Sequence, residues 1–462
     1  MLLAGLLASS CSGSPAGSNP SPSSPATAGP GTARPSPTGS CPARYADPDP
    51  NRPRITLTFD ASADLGTVTG TEGVRFVPDL PVRELVFRLT PNGPTSYPAG
   101  TSLTVQKATA DPAGGAFRYE QAGAPSGSLG GVLVIPLGRT VPAGEPVTAD
   151  ISFTLTLANA AFERFGRAGR LAWFGSGQPL FAWERGVGWH REALAKWIGE
   201  SATSEAADID LTVTAPGWAT VLSSGVQDAP ADVDGGRRRW HAVAATARDV
   251  AVSVGELRTV SADLGGTKIT AGAADDSGAR GVLEQIRRAV TELARRFGPF
   301  PFPALNVTLL PTWGGGIEYP GAILLFGSSR GVDTHETAHQ WFYAMVGDSQ
   351  SRDPWLDEAF ATFAEQVVDV SSTGGSVQQP GDVGAGINDF PNMGAYFATV
   401  YGKGSAALHQ ARLAAGPDRF DAAIRCYVNA NAWRIARPGD LAAALKDLPA
   451  ALDVLRKAHA LR

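Results

Sequence analysis

The chain has 462 residues, enough for two or three domains with sizeable cores, so a single small module is excluded. A hydrophobic fraction of 43%, a charged fraction of 18% and a net charge of −5 describe an ordinary globular protein and give no basis for nucleic-acid binding.

Met1 to Ser10 is an apolar run ending in small residues, the pattern of a secretory signal at its cleavage site, and it is too short to span a bilayer. Ala8, Ser9 and Ser10 before Cys11 resemble a bacterial lipobox, in which that cysteine becomes the lipidated N-terminus. Residues 12–44 are dominated by Ser, Pro, Gly, Ala and Thr and read as a disordered tether. The expectation is an extracytoplasmic protein, anchored to the membrane by lipid at Cys11 and lacking a transmembrane helix, with simple secretion as the alternative. Outside the cytoplasm the two remaining cysteines, Cys41 and Cys426, could pair. Because Cys426 sits in the apolar helical pattern Phe420–Tyr427, a buried free thiol is the simpler expectation.

From residue 45 to 262 short alternating runs recur, at 55–59, 74–77, 84–89, 132–136, 149–156 and 208–214, mostly bounded by Gly, Pro, Asn or Asp. They predict an N-terminal antiparallel β-sandwich-like domain. Arg237-Arg238-Arg239, beside Asp232, Asp234 and Gly235-Gly236, reads as a solvated hairpin. The stretch 178–190 is rich in aromatics and glycine and reads as a long ordered loop. Trp183, Trp189 and His190 either line a cleft at a domain junction or pack the loop onto the sandwich.

The second domain is expected over 263–462. Val282, Ile286, Val290 and Leu293 form a helical stripe that stops at Gly298-Pro299. A strand at 305–310, the glycine run 314–316 leading into Ile317-Glu318-Tyr319, and a strand at 322–326 follow. The next helix is placed from Ser329, as N-cap, to Gly347 and carries His335-Glu336-Thr337-Ala338-His339. Asp353 and Pro354 then start a helix reaching about Val370, with Glu358 one turn in. Residues 371–392 read as a mobile loop beside the site.

On a helix, His335 and His339 lie one turn apart on one face, so both imidazoles can reach one ion, and Glu358 adds a carboxylate. Three protein ligands leave Zn²⁺ an open position, which marks a catalytic rather than a structural site, with one zinc per chain. Glu336, beside that position, is the base that deprotonates water. The reaction class is amide hydrolysis. Glu365, two turns after Glu358, either orients a ligand histidine or is a solvated helix residue.

His335-Glu-Thr-Ala-His-Gln-Trp341 together with Trp355-Leu-Asp-Glu-Ala-Phe-Ala361 resembles peptidase family M1, the aminopeptidase N-like gluzincins. The likeness is strongest over roughly 300–410. It implies a multidomain β then α+β chain in which a thermolysin-like zinc peptidase domain, with a short helical C-terminus, follows the β domain. The resemblance assigns Glu318, in Gly315-Gly316-Ile317-Glu318-Tyr319, to the substrate's free α-ammonium, with Gly315 and Gly316 allowing close approach of the peptide backbone. It assigns Tyr401 to the tetrahedral oxyanion. The first motif normally ends in asparagine where this chain has Tyr319, and Ala359 replaces a usual glycine. The function implied is a zinc aminopeptidase acting on extracytoplasmic peptides. An open-cleft endopeptidase or oligopeptidase and a non-catalytic peptide-binding surface lipoprotein are the alternatives.

Overall fold

The computed structural model describes residues 41–159, 161–198, 203–312, 314–369 and 375–461, which belong to one compact unit. The expected signal, the lipobox-like Cys11 and the expected tether up to residue 40 lie outside the described residues.

The N-terminal half is built on strands whose alternate residues turn inward. In Thr67–Phe76 and Val147–Thr156 every second side chain is buried, as a two-residue repeat requires when one face meets a core. They are neighbours in the main sheet, which also holds Arg54–Ala61, Ala207–Pro216, Arg237–Ala247 and Ser102–Asp111. A smaller sheet containing Val82–Arg88 and Val132–Val141 contributes Leu85, Phe87, Leu133 and Ile135 to the same core as Leu57, Phe59 and Phe153. The sandwich is therefore present, but not wholly antiparallel. Arg54–Ala61 pairs in parallel with Ala207–Pro216, because these two strands are joined through the rest of the domain and not by a hairpin. The basic run behaves as expected: Asp232 faces Arg238 across a hairpin and pairs with it.

The 178–190 stretch packs onto the sandwich. Trp183 is buried against Phe76 and Trp189, its ring centroid 4.6 Å from that of Trp189. His190 is buried and binds Glu184 at 2.7 Å, and Glu184 in turn accepts hydrogen bonds from Arg352 and Arg437 of the second half. Tryptophans and histidine thus serve packing and an ionic lock, not a cleft.

A second, mixed sheet orders its strands as Arg258–Leu264, Thr267–Ala273, Ala304–Leu309, Ala322–Leu325 and Gly316–Tyr319. It starts at Arg258, upstream of residue 263. Helix α1, Asp276–Phe297, is capped by Asp275, whose side chain accepts from the Gly278 N–H. Its stripe Val282, Ile286 and Val290 packs on Ile269, Val307 and Ile323 of that sheet.

Helix α2 spans only Arg330–Ala338, with Ser329 as its N-cap. The expected continuation to Gly347 fails because Tyr343 takes a left-handed φ of 103° and residues 346–347 form a short strand with 434–435. Pro354–Leu356 is a 3₁₀ turn, and helix α3 begins at Glu358 itself and ends at Asp369, so Glu358 opens the helix instead of lying one turn in. In the described part of the 371–392 loop, Val383 and Gly384 donate to the carbonyls of Ala458 and His459, which ties that part down.

Cys41 and Cys426 form a disulfide, which replaces the expected free thiol. The pairing follows from what flanks Cys41. The Pro42 carbonyl accepts from Asn429 Nδ2, and the Ala46 N–H donates to the Asn429 carbonyl, laying this segment along the helix Pro417–Asn431 that carries Cys426.

Candidate metal centre

His335 lies in the last turn of α2, His339 immediately beyond its end, and Glu358 at the first residue of α3. Glu358 Oε2 stands 3.2 Å from His335 Nε2 and 3.5 Å from His339 Nε2. Ligands about 2.0–2.1 Å from a tetrahedral zinc are roughly 3.3 Å apart, so the carboxylate oxygen has the spacing the ion demands from both nitrogens, and all three atoms lie within 4.8 Å of one another. His339 is wholly buried, yet its Nε2 has no hydrogen-bond partner. Leaving such an atom unpaired is costly, and a metal would satisfy it. The donor set, two imidazoles and one carboxylate, suits zinc.

The other ring nitrogen of His339 is also fixed. Nδ1 lies 2.5 Å from Asp357 Oδ1, and the second Asp357 oxygen accepts from Gln350 Nε2 at 3.0 Å. Asp357 thereby orients the imidazole and leaves Nε2 facing the ligand position. Glu365, for which the sequence left open orientation of a ligand histidine or a solvated helix position, reaches only to 3.9 Å from His335 Nδ1. The available signal for Asp357 was its place next to the carboxylate ligand.

Glu336 and Glu318 converge on the same place from two elements. Glu336, on α2, is 5% exposed and its Oε2 is unpaired. Strand Gly316–Tyr319 runs against it so closely that a Cβ at Gly316 would sit 2.6 Å from Glu336 Cγ. A side chain there would displace Glu336. Glu318, two residues on and on the same strand face, is 2% exposed and accepts from Gln350 Nε2 at 3.3 Å. Burial, with the neighbouring Asp357 and Glu358 carboxylates, pushes Glu318 up to about 8. Burial likewise lifts Glu336 to about 7. Gly315, at φ 74°, lies beside Gly316 in the wall of the cavity.

Tyr401 lies in a π-helical stretch, Phe397–Lys403, between a short helix and the helix Gly404–Ala415. Its ring stacks on the His335 ring at 6.0 Å with an interplanar angle of 4°, and its hydroxyl hydrogen-bonds Glu358. All eight residues singled out from the sequence, His335, His339, Glu358, Glu336, Tyr401, Glu318, Gly315 and Gly316, line one cavity of about 640 Å³. Tyr319 does not line it. Its side chain turns to the opposite face, is fully buried, and accepts a hydrogen bond from Arg164 Nη1 at 3.2 Å. Gln340, also missed, clamps the same strand: its Nε2 donates to the Tyr319 carbonyl, and its Oε1 accepts from the Gly321 N–H.

No protein-family model matches the chain. Tricorn protease-interacting factor F2 of Thermoplasma acidophilum is 28% identical over 203 residues, 36% of this chain and 26% of that protein. Aminopeptidase M1-A of Oryza sativa subsp. japonica is 24% identical over 185 residues, 32% of this chain and 21% of that protein. The chain thus spans about a quarter of the curated relatives it matches. Among solved structures, a mutant M1 zinc metallopeptidase from Deinococcus radiodurans, bound to a Tyr-Ser-Ala substrate, superposes with a TM-score of 0.63 at 19% identity. That likeness covers 89% of this chain and 94% of the other, and it shows a shared fold. These comparisons support the resemblance to family M1 read from the sequence.

Proposed function

We propose that this chain, which has the fold of the M1 zinc metallopeptidases, is a zinc-dependent aminopeptidase that removes N-terminal residues from peptides. The observation that carries the reading is the meeting, in one cavity, of a three-ligand metal set with two buried carboxylates that the ligands do not use. Sequence similarity to an aminopeptidase and a shared fold with a substrate-bound M1 enzyme support it.

When bound, zinc supplies a Lewis acid and lowers the pKa of water toward neutrality. His335, His339 and Glu358 would hold it, and Asp357 keeps His339 in the tautomer whose Nε2 is free to bind. Glu336 takes the proton of the attacking water and returns it to the leaving amine. Its burial suits a group that must gain and lose a proton near neutral pH. Tyr401, stacked on His335, donates its hydroxyl to the oxyanion that develops on the scissile carbonyl. Glu318 receives the substrate's α-ammonium, and Gly315 and Gly316 admit its backbone. Burial makes a lone Glu318 charge costly, and a cationic amine offsets that cost.

The same proposal places the protein outside the cytoplasm, with lipid at Cys11. The Cys41–Cys426 disulfide supports an oxidising compartment. Among the described residues no helix is long and apolar enough to cross a membrane.

Hydrolysis of aminoacyl reporter amides, compared with their N-acetylated forms, tests the activity. Cleavage of the free amines alone, abolished by Glu336→Gln with zinc still bound, is the expected result. Equal cleavage of both forms would replace this reading with an endopeptidase. Turnover unaffected by Glu336→Gln would remove the mechanism.

A further inference from the structure

We infer that Tyr319 is a positioning residue: seated between Gly175 and Arg164 of the β domain, it fixes the strand that presents Glu318 to the substrate amine. The inference rests on the aminopeptidase reading above and concerns how the ammonium site is held, not whether it exists.

Strand Gly316–Tyr319 lies between two bodies, and its two faces divide them. Gly316 and Glu318 face α2 and the cavity, whose rim Ile317 also touches, while Ile317 and Tyr319 pack into a cluster with Leu171, Trp173 and Ala251 of the β domain. Tyr319 is the tightest of these contacts. A Cβ at Gly175 would lie 2.0 Å from the Tyr319 hydroxyl oxygen, so the phenol occupies the space that glycine leaves. The Gly175 N–H donates to the Arg164 carbonyl at 2.9 Å, which joins the two halves of the socket. Arg164 itself is buried and donates to the phenol oxygen. A side chain so enclosed cannot shift without moving its own strand, and the neighbouring Glu318 moves with it. Gln340 holds the Tyr319 carbonyl from the other side, so Glu318 is set by the β domain and by the metal-binding segment together. An asparagine at 319 would be too short to fill this socket, and that accounts for the departure from the family motif.

Tyr319→Phe removes the Arg164 hydrogen bond while keeping the ring, and Gly175→Ala adds a methyl group where the phenol lies. The readouts are kcat and KM on a leucyl reporter amide, inhibition by free leucine and by acetohydroxamate, zinc content, and selectivity against the N-acetylated reporter. Tyr319→Phe is expected to raise KM and the leucine inhibition constant by roughly three- to tenfold, as loss of one hydrogen bond would. Its kcat should stay within about twofold, and acetohydroxamate inhibition and zinc content should not change. Gly175→Ala, where it folds, should shift the same two quantities further. Unchanged KM and leucine inhibition in Tyr319→Phe would overturn the proposal, as would a loss of kcat with acetohydroxamate inhibition altered in parallel. If the unaltered protein cleaves free and N-acetylated reporters equally, the Glu318 reading fails first, and that result is separate from either outcome in the variants.

Discussion

Glu72 offers a direct test of how the β-domain core treats charge. It sits mid-strand in Thr67–Phe76, paired with Leu57 on one side and Ile151 on the other, is 2% exposed, and has no hydrogen-bond partner on either carboxylate oxygen. Burial, followed by the nearby charge of Asp249, pushes its carboxyl well above the ordinary value of 4.5. The unfolded chain releases this proton near 4.5 and the folded chain holds it. Between the two values folding binds one proton, so the contribution to stability is full below 4.5 and drains away as pH rises, by about 1.4 kcal/mol per unit. Glu72→Gln keeps the shape and neutral polarity of the protonated side chain but cannot ionise. The variant should therefore exceed the unaltered protein by no more than about 1 kcal/mol at pH 5 and by up to about 3 kcal/mol at pH 7. Urea unfolding followed by tryptophan fluorescence at pH 5, 6 and 7 measures the difference, in which all other titrations cancel. Parallel stability curves for the two proteins would refute the reasoning.

Asp357→Ala should weaken zinc about 10–100-fold in a chelator competition, with Asp357→Asn losing less, because His339 keeps an acceptor for Nδ1. Equal zinc affinity in all three proteins would mean that His339 is oriented by packing alone. Burial opposes the charge on Glu184, but hydrogen bonds from His190 and Arg437 outweigh it and hold Glu184 down at about 2. That stability is present above 4.5 and is lost as pH falls toward 2. Glu184→Gln should therefore cost about 2–3 kcal/mol at pH 7, a figure discounted because Arg352 and Arg437 remain 41% and 49% exposed, and the cost should shrink on acidification. A cost that is constant down to pH 3 would show that the lock acts through shape and not charge.

The chemistry of the site was legible because it is local. His335, Glu336 and His339 share one segment, and Glu358 follows in a motif whose spacing the chain itself displays. What spacing could not reveal were contacts made across the fold. Cys41 meets Cys426 over a sequence separation of 385. Tyr319 hydrogen-bonds Arg164, 155 residues earlier, so the partner of the residue that departs from the motif lies in another part of the chain. Helix limits failed for a related reason. The hydrophobic pattern runs on past His339, but Tyr343 turns the backbone to let Val346 reach Arg434, a partner no window of sequence contains. Six strands of the β domain were found from alternation while Ser102–Asp111 and Arg237–Ala247 were not, and the parallel pairing of the first was hidden because alternation carries no direction.

The π-helical stretch that carries Tyr401 has a consequence for insertions and deletions. Such a stretch holds one residue more than the regular helix on either side of it. Deleting one residue between Phe397 and Tyr401 would let it close into ordinary α-helix and change the angle at which the phenol leaves the axis. His335, His339, Glu358 and Glu336 would all be retained, and the hydroxyl proposed to meet the oxyanion would point elsewhere. A single-residue gap at this point would therefore leave the proposed ligand set whole and the proposed chemistry incomplete.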